Sequence, residues 1–218
     1  MELPRRWERV ETFGENYTPR TGHTVSVVAN RFYLFAGADV EIRTNDLYCF
    51  DPQNKSWTQL MISENMPHER SGAQSVSKQN KKIYFFGGYT RKGGEYFNDL
   101  FAFDIDTYTW SYLQPTTSEM PDKRTDHVFE TYKDNFYLYG GRDECHIISD
   151  LYKFSLATQE WICLGKDLEE PRMRFGHSGV VHQQFLYIFG GWDGIATLSD
   201  LVMFDMEQER WTLLTVSG

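Results

Sequence analysis

Short apolar runs recur along the chain, and small residues close each of them. The runs are Phe32-Tyr33-Leu34-Phe35, Ile83-Tyr84-Phe85-Phe86, Phe136-Tyr137-Leu138-Tyr139 and Leu186-Tyr187-Ile188-Phe189. After them come Ala36-Gly37, Gly87-Gly88, Gly140-Gly141 and Gly190-Gly191. Brief runs rich in aromatic and β-branched residues and ended by glycine predict strands, not helices. Polar residues do not alternate through them, as they would in a strand with one wet face, so both faces are expected to be covered. Each run is preceded by a stretch that follows an arginine, such as His23 to Val28. After each come a third run, such as Leu47-Tyr48-Cys49-Phe50, and a fourth that opens on a tryptophan. Every unit therefore predicts four strands, a to d in chain order.

The landmarks hold one register. The closing glycines Gly37, Gly88, Gly141 and Gly191 are spaced 51, 53 and 50 apart. Trp7, Trp57, Trp110, Trp161 and Trp211 are spaced 50, 53, 51 and 50, and Arg20, Arg70, Arg124 and Arg174 are spaced 50, 54 and 50. Asp46, Asp99, Asp150 and Asp200 recur before strand c, each after Asn or Ser. A fixed period near 50 residues marks a repeat architecture. The paired glycines suit a sharp turn close to neighbouring backbone, and the tryptophans supply bulk to the outer strands. The aspartates are expected to fix the turn into strand c by bonding to backbone.

The combination resembles the kelch family: an Arg-x-Gly-His-like lead into strand a, Gly-Gly after strand b, Asn-Asp-Leu before strand c and an Asp-x5-Trp step into strand d. That step stands as Asp51 to Trp57, Asp104 to Trp110 and Asp205 to Trp211, with Ser155 replacing Asp before Trp161. The resemblance covers residues 7 to 218 and implies an all-β fold, a kelch-type β-propeller of four-stranded blades around a channel. Four blades are visible, over about 18–62, 68–115, 122–166 and 172–216. Five tryptophan strands serve only four a–b–c sets. Residues 7–11 are therefore expected to be an extra outer strand from a closing blade, and the resemblance, which implies six or seven blades, makes the chain an arc of such a ring; the alternative is a four-bladed ring whose surplus strand is frayed. In an arc, open blade faces would invite self-association or completion by further blades.

Antiparallel blades put the d–a and b–c connections on one side. The b–c loops differ in every unit (38–44, 89–97, 142–148 and 192–198), and variable loops on a rigid scaffold are where recognition concentrates. This side is the expected face for a protein or peptide partner, with the chain acting as an adaptor or scaffold. The candidate contacts are Arg20, Arg70, Arg124 and Arg174 at the ends of the d–a loops, and Tyr89, Arg142 and Trp192 directly after the glycine pairs. Arg91 and Lys92 join them in the longest loop. Guanidinium groups suit carboxylates, so an acidic ligand is one candidate, although Glu64, Glu69, Asp122, Glu169 and Glu170 share the face.

Charge and composition narrow the rest. A net charge of -9, from 22 basic and 31 acidic residues, with no basic run longer than two, argues against nucleic acid. No apolar stretch approaches the length of a membrane helix. Three cysteines at unrelated spacings, Cys49, Cys145 and Cys163, read as reduced thiols, and the cytoplasm is the expected location. His23, His127 and His177 share one repeat position, which marks them as scaffold. One short loop, Asp143-Glu144-Cys145-His146, rarely makes a whole metal site, so neither metal nor cofactor is expected. The iron-binding specifier proteins of the kelch family carry Glu-x3-Asp-x3-His; the nearest match here, Glu95, Asp99 and Phe103, lacks the histidine. A non-enzymatic role is expected. The alternative is a propeller enzyme of the sugar-epimerase or lyase type, with its active site at the channel mouth.

Overall fold

The computed structural model describes residues 7–15, 17–40, 42–62, 64–91 and 94–215; Lys92 lies outside them. The described residues form four four-stranded antiparallel sheets, each in chain order. Blade one holds β2 (Thr24–Val28), β3 (Arg31–Ala38), β4 (Arg43–Asp51) and β5 (Ser56–Gln59), with an added β1 (Phe13–Gly14). Blade two holds β6 (Gln74–Lys78), β7 (Lys82–Phe86), β8 (Leu100–Asp104) and β9 (Thr109–Tyr112). Blade three holds β10 (Val128–Tyr132), β11 (Asn135–Tyr139), β12 (Leu151–Ser155) and β13 (Glu160–Gly165). Blade four holds β14 (Ser178–His182), β15 (Phe185–Phe189), β16 (Leu201–Asp205) and β17 (Arg210–Leu214). The first strands touch in succession, β2 to β6, β6 to β10 and β10 to β14, so strand a is innermost and strand d lies at the rim. No helix long and apolar enough to cross a membrane occurs among the described residues.

Residues 7–11, expected as an outer strand, carry no strand here. The N-terminal segment instead runs parallel to the rim of blade one, pairing Phe13 with Ser56 and Gly14 with Trp57. Strand β5 presents an open edge, and the Phe13 and Glu15 amides satisfy it by donating to the carbonyls of Lys55 (2.9 Å) and Trp57 (3.0 Å). Tyr17 packs edge-on against Trp57, 4.7 Å between ring centroids.

The c–d turns are set by the Asp that leads to each tryptophan. Asp51 Oδ1 accepts from the Gln53 amide, Asp104 Oδ1 from Asp106 and Asp205 Oδ1 from Glu207, at 2.9, 3.0 and 2.9 Å. Ser155 Oγ takes the role in blade three, accepting from Thr158. These side chains mimic a turn carbonyl, which explains why Ser can substitute.

Alternate residues of strand b face opposite sides of the blade, so in blades two and three, which have a neighbour on each side, both faces are consumed. Phe35 and Tyr33 pack with Ile83, Phe85, Phe103 and Trp110 between blades one and two. Tyr84 and Phe86 pack with Phe136, Leu138, Phe154 and Trp161 between blades two and three. Tyr137 and Tyr139 pack with Leu186, Ile188 and Phe204 between blades three and four. Trp110, Trp161 and Trp211 thus belong to the face their blade turns toward the preceding one. Three cores join four blades, and among the described residues no fourth core joins blade four to blade one. The last residue of strand b reports this directly: Phe35, Phe86 and Tyr139 are 0% exposed, whereas Phe189 is 55% exposed. At the other end Val25, Val27 and Phe32 are exposed on the matching face of blade one. The four blades form an arc with two uncovered apolar faces.

Polar bonds also cross between blades. The second glycine of one blade donates to the carbonyl of the next blade's repeat arginine: Gly37 to Arg70 (2.9 Å), Gly88 to Arg124 (2.8 Å) and Gly141 to Arg174 (2.8 Å). Asn45 and Asn98 donate from Nδ2 to the carbonyls of Pro67 and Pro121 in the following d–a loops, both at 3.0 Å. The glycine requirement is steric as well as conformational. At Gly140, with φ of +65°, a Cβ would lie 2.8 Å from the Arg174 carbonyl oxygen and 2.8 Å from the His177 ring. Ala36 occupies the equivalent place in blade one at φ of 58°, a strained position for a side chain.

Candidate functional site

The four repeat arginines are built into the blades. Arg70, Arg124 and Arg174 are buried, and the side chain of Arg20 is nearly so. Each meets the repeat aspartate of its own blade through two nitrogens. Arg124 Nη1 and Nη2 lie 2.5 and 3.1 Å from the Asp150 oxygens, and Arg174 lies 2.8 Å from each oxygen of Asp200. Arg70 meets Asp99 at 2.6 and 2.9 Å, and Arg20 meets Asp46 at 2.5 and 3.0 Å. Nη1 also donates to the carbonyl at the strand b turn (Ala36, Gly87, Gly140 or Gly190), and Nε to a carbonyl two residues upstream. One planar fork therefore ties the d–a loop, the glycine turn and the start of strand c. The aspartates, expected to bond backbone, are instead the carboxylate half of this clamp. Donation from Arg174 holds the Asp200 carboxyl below its ordinary range. These guanidinium groups are engaged inside the protein and are not offered to solvent as a ring.

The histidines follow the same plan. His127 and His177 are buried edge-on against Phe86 and Tyr139 of the preceding blade, each at 5.5 Å. Burial, then the adjacent arginine, pushes both imidazoles down, His177 to about 3. His23 is exposed, because no described blade precedes its own. In the Asp143 loop, Asp143 Oδ1 accepts from the Cys145 and His146 amides at 2.7 Å, so it closes a turn. No cluster of three or more metal-ligating side chains occurs among the described residues. Glu95, Asp99 and Phe103 are dispersed: Glu95 faces Lys123 at 3.5 Å, Asp99 holds Arg70, and Phe103 lies in the core.

Tyr89, Arg142 and Trp192 occupy one structural position. Each leaves the glycine pair and bridges the segment just before an inner strand: Tyr89 with Ser71, Arg142 with Thr125 and Trp192 with Phe175. Each then bridges its own returning loop, at Tyr96, Ile147 and Thr197. Backbone bonds of 2.9–3.1 Å lock the first set of bridges, so three side chains from variable loops stand on rigid supports near the axis.

Their neighbours complete a belt. The Arg43 guanidinium lies 4.3 Å over the Tyr89 ring and donates from Nε to Ser71 Oγ at 3.0 Å. Tyr89 stacks on Tyr96, 5.4 Å between centroids, and Tyr96 lies within the field of Arg142. Arg142 donates from Nε to Asp126 at 3.0 Å and lies 4.7 Å over Phe175. Trp192, 40% exposed, sits beside Phe175 through its backbone bridge. Cations over aromatic faces attract one another, and the belt presents rings and guanidinium edges fixed in place. Arg43, Tyr96, Phe175 and Asp126 escape a reading of the sequence. Phe175 had a signal: its repeat position carries Thr21, Ser71 and Thr125 in the other blades, so an aromatic there is the exception.

A cleft opens on the same side, between blades three and four. It measures about 710 Å³ and is lined from the b–c loops by Asp143, His146, Ile147, Ile148 and Ile195, and from the d–a loop by Leu168, Glu169 and Met173.

Known proteins include relatives of the chain. The chain matches the family described as the KLHDC2/KLHL20/DRC7 Kelch-repeats domain over residues 3–141 and again over 55–218. It is 30% identical over 186 residues to acyl-CoA-binding domain-containing protein 4 of Arabidopsis thaliana, covering 80% of this chain and 27% of that protein. It is 26% identical over 173 residues to human kelch domain-containing protein 10, covering 77% and 39%. It is also 27% identical over 184 residues to the N-(sulfonatooxy)prop-2-enimidothioate sulfolyase of Thlaspi arvense, covering 78% and 52%. The chain thus spans between about a quarter and about half the length of these curated relatives.

Proposed function

Because the chain belongs to the kelch-repeat family, we propose that its four-blade arc is a protein-interaction module that takes a peptide or protein partner on the d–a/b–c loop face, as an adaptor or scaffold. The observation that carries this reading is the belt of Arg43, Tyr89, Tyr96, Arg142, Phe175 and Trp192. Aromatic and arginine side chains dominate binding hot spots because they offer large contact areas with few rotors to freeze. Here backbone bridges and cation–ring contacts fix them before any partner arrives, which lowers the ordering cost of association. The η nitrogens of Arg142 face a ring on one side and leave edges for a carboxylate, so an acidic side chain in the partner suits the belt.

Affinity capture with the purified chain tests the proposal. Tyr89→Ala, Arg142→Ala and Trp192→Ala should each weaken retention of the same partner by about 1–2 kcal/mol while leaving the unfolding midpoint close to wild type. A partner held equally well by all three variants would refute the belt as the contact surface. The sulfolyase relative keeps a lyase-type propeller as the competing reading. That reading needs an acid–base pair converging at the channel mouth; the nearest match to the specifier proteins' iron-binding triplet, Glu95, Asp99 and Phe103, is spent on Lys123, Arg70 and the core.

A further inference from the structure

We infer that the cleft between blades three and four is a second docking site, for a peptide segment that presents an aliphatic or aromatic side chain beside a lysine or arginine. The first observation is its apolar lining. Ile147, Ile148, Leu168, Met173 and Ile195 line it, and Met173 and Ile195 remain 44% and 86% exposed. Repeat equivalence supplies an internal control. Met173 precedes the repeat arginine, where the other blades place Pro19, Glu69 and Lys123. Ile195 donates its amide to Asp193 as Cys145 does to Asp143, so the same turn carries a large aliphatic side chain in this blade alone of the two. The scaffold does not ask for apolar residues at these places, and an exposed isoleucine in a concave site is what a ligand's apolar side chain would cover.

Charge selects the occupant. Six carboxylates line the cleft, Asp122, Asp143, Asp150, Asp167, Glu169 and Asp193, against the cations Lys166 and Arg172. Asp150 is neutralised by Arg124, and Asp193 faces Arg172 at 3.6 Å. Asp122, Asp167 and Glu169 make no ion pair among the described residues and stand exposed on the rim. Amide donation from Ala196 and Ile195 keeps the Asp193 carboxyl below its usual range, so it stays ionised. An apolar lining interspersed with carboxylates that make no ion pair favours a cationic, apolar segment and disfavours an acidic one. This site adjoins the belt but shares no lining residue with it, and its partner chemistry is opposite in sign.

Three fluorescein-labelled dodecapeptides in a Gly-Ser background test it by anisotropy: one with Lys-Leu-Arg at its centre, one with Glu-Leu-Glu and one with Lys-Gly-Arg. The first should bind and the other two should not. Binding should weaken as salt rises and fall by about tenfold or more, equivalent to 1.4 kcal/mol, in Asp167→Lys/Glu169→Lys and in Ile195→Ser. Trp192→Ala, which strips the belt, should leave it unchanged; failure of the belt proposal and of this one are therefore separable. No binding of the Lys-Leu-Arg peptide, or binding indifferent to the cleft variants, would overturn the inference. So would a concentration-dependent dimer that Ile195→Ser abolishes, since the occupant would then be a second copy of the chain.

Discussion

The Arg124–Asp150 pair shows how one residue position is spent on architecture. Both side chains are buried, two nitrogens meet two oxygens, and the remaining donors reach backbone carbonyls. Removing one partner of such a pair leaves a buried charge unmatched, and Arg124→Ala should destabilise the chain by about 3–5 kcal/mol in denaturant unfolding. Arg124→Ala/Asp150→Ala should recover part of that loss, because no orphan charge remains. Arg20→Ala should cost less, since its aspartate is more open to water than Asp150. The clamp also shows the limit of reading single residues from sequence. The spacing made the arginines and aspartates visible as landmarks, but two residues 26 apart that meet as a pair look the same in sequence as two independent landmarks. Arginines at a loop end invite a ligand reading until burial is known.

Strand and blade were the most legible level. Unbroken apolar runs closed by small residues marked every strand b, and the structure covers both faces of that strand in blades two and three. The belt was half legible. Tyr89, Arg142 and Trp192 follow the glycine pairs and could be read by register, whereas Arg43 and Phe175 come from other loops and meet them only in three dimensions. The element level also carries a titration. Glu130 lies on inner strand β10, and burial raises its carboxyl to about 7. The folded state then keeps a proton that the unfolded chain releases near 4.5, so Glu130's contribution falls as pH rises from about 4.5 to 7. His127 and His177 act in the opposite direction: their folded values are depressed, so their contribution is lost as pH falls through 6.5 toward about 3 for His177. The clean observable is the difference between Glu130→Gln and wild type. The variant's advantage in unfolding midpoint should grow across pH 4.5 to 7 and then level off; a constant difference would show that the carboxyl ionises normally.

At the scale of the whole molecule, the arc leaves one leading and one trailing blade face uncovered. Their chemistry is complementary, because blades one to three bury the same positions against each other. Val180 and Phe189 are exposed at one end, and Val25, Val27 and Phe32 at the other. Exposed apolar faces of this kind drive association. Light scattering of the chain as given should show mass rising with concentration, and Phe189→Glu should suppress the rise without lowering the unfolding midpoint, since Phe189 has no described neighbour blade to lose. A strictly monomeric wild type across the same concentrations would contradict this.

One face of the molecule carries both the arginines that build the blades and the belt residues proposed to bind. The measurement that bears on this most directly applies two readouts, unfolding midpoint and partner retention in affinity capture, to one set of alanine variants. Arg70→Ala, Arg124→Ala and Arg174→Ala should lower the midpoint by several degrees or more. Tyr89→Ala, Arg142→Ala and Trp192→Ala should lose the partner with the midpoint nearly unchanged. The opposite pattern, with folded arginine variants that lose the partner and belt variants that keep it, would contradict the division and return the ligand site to the repeat arginines.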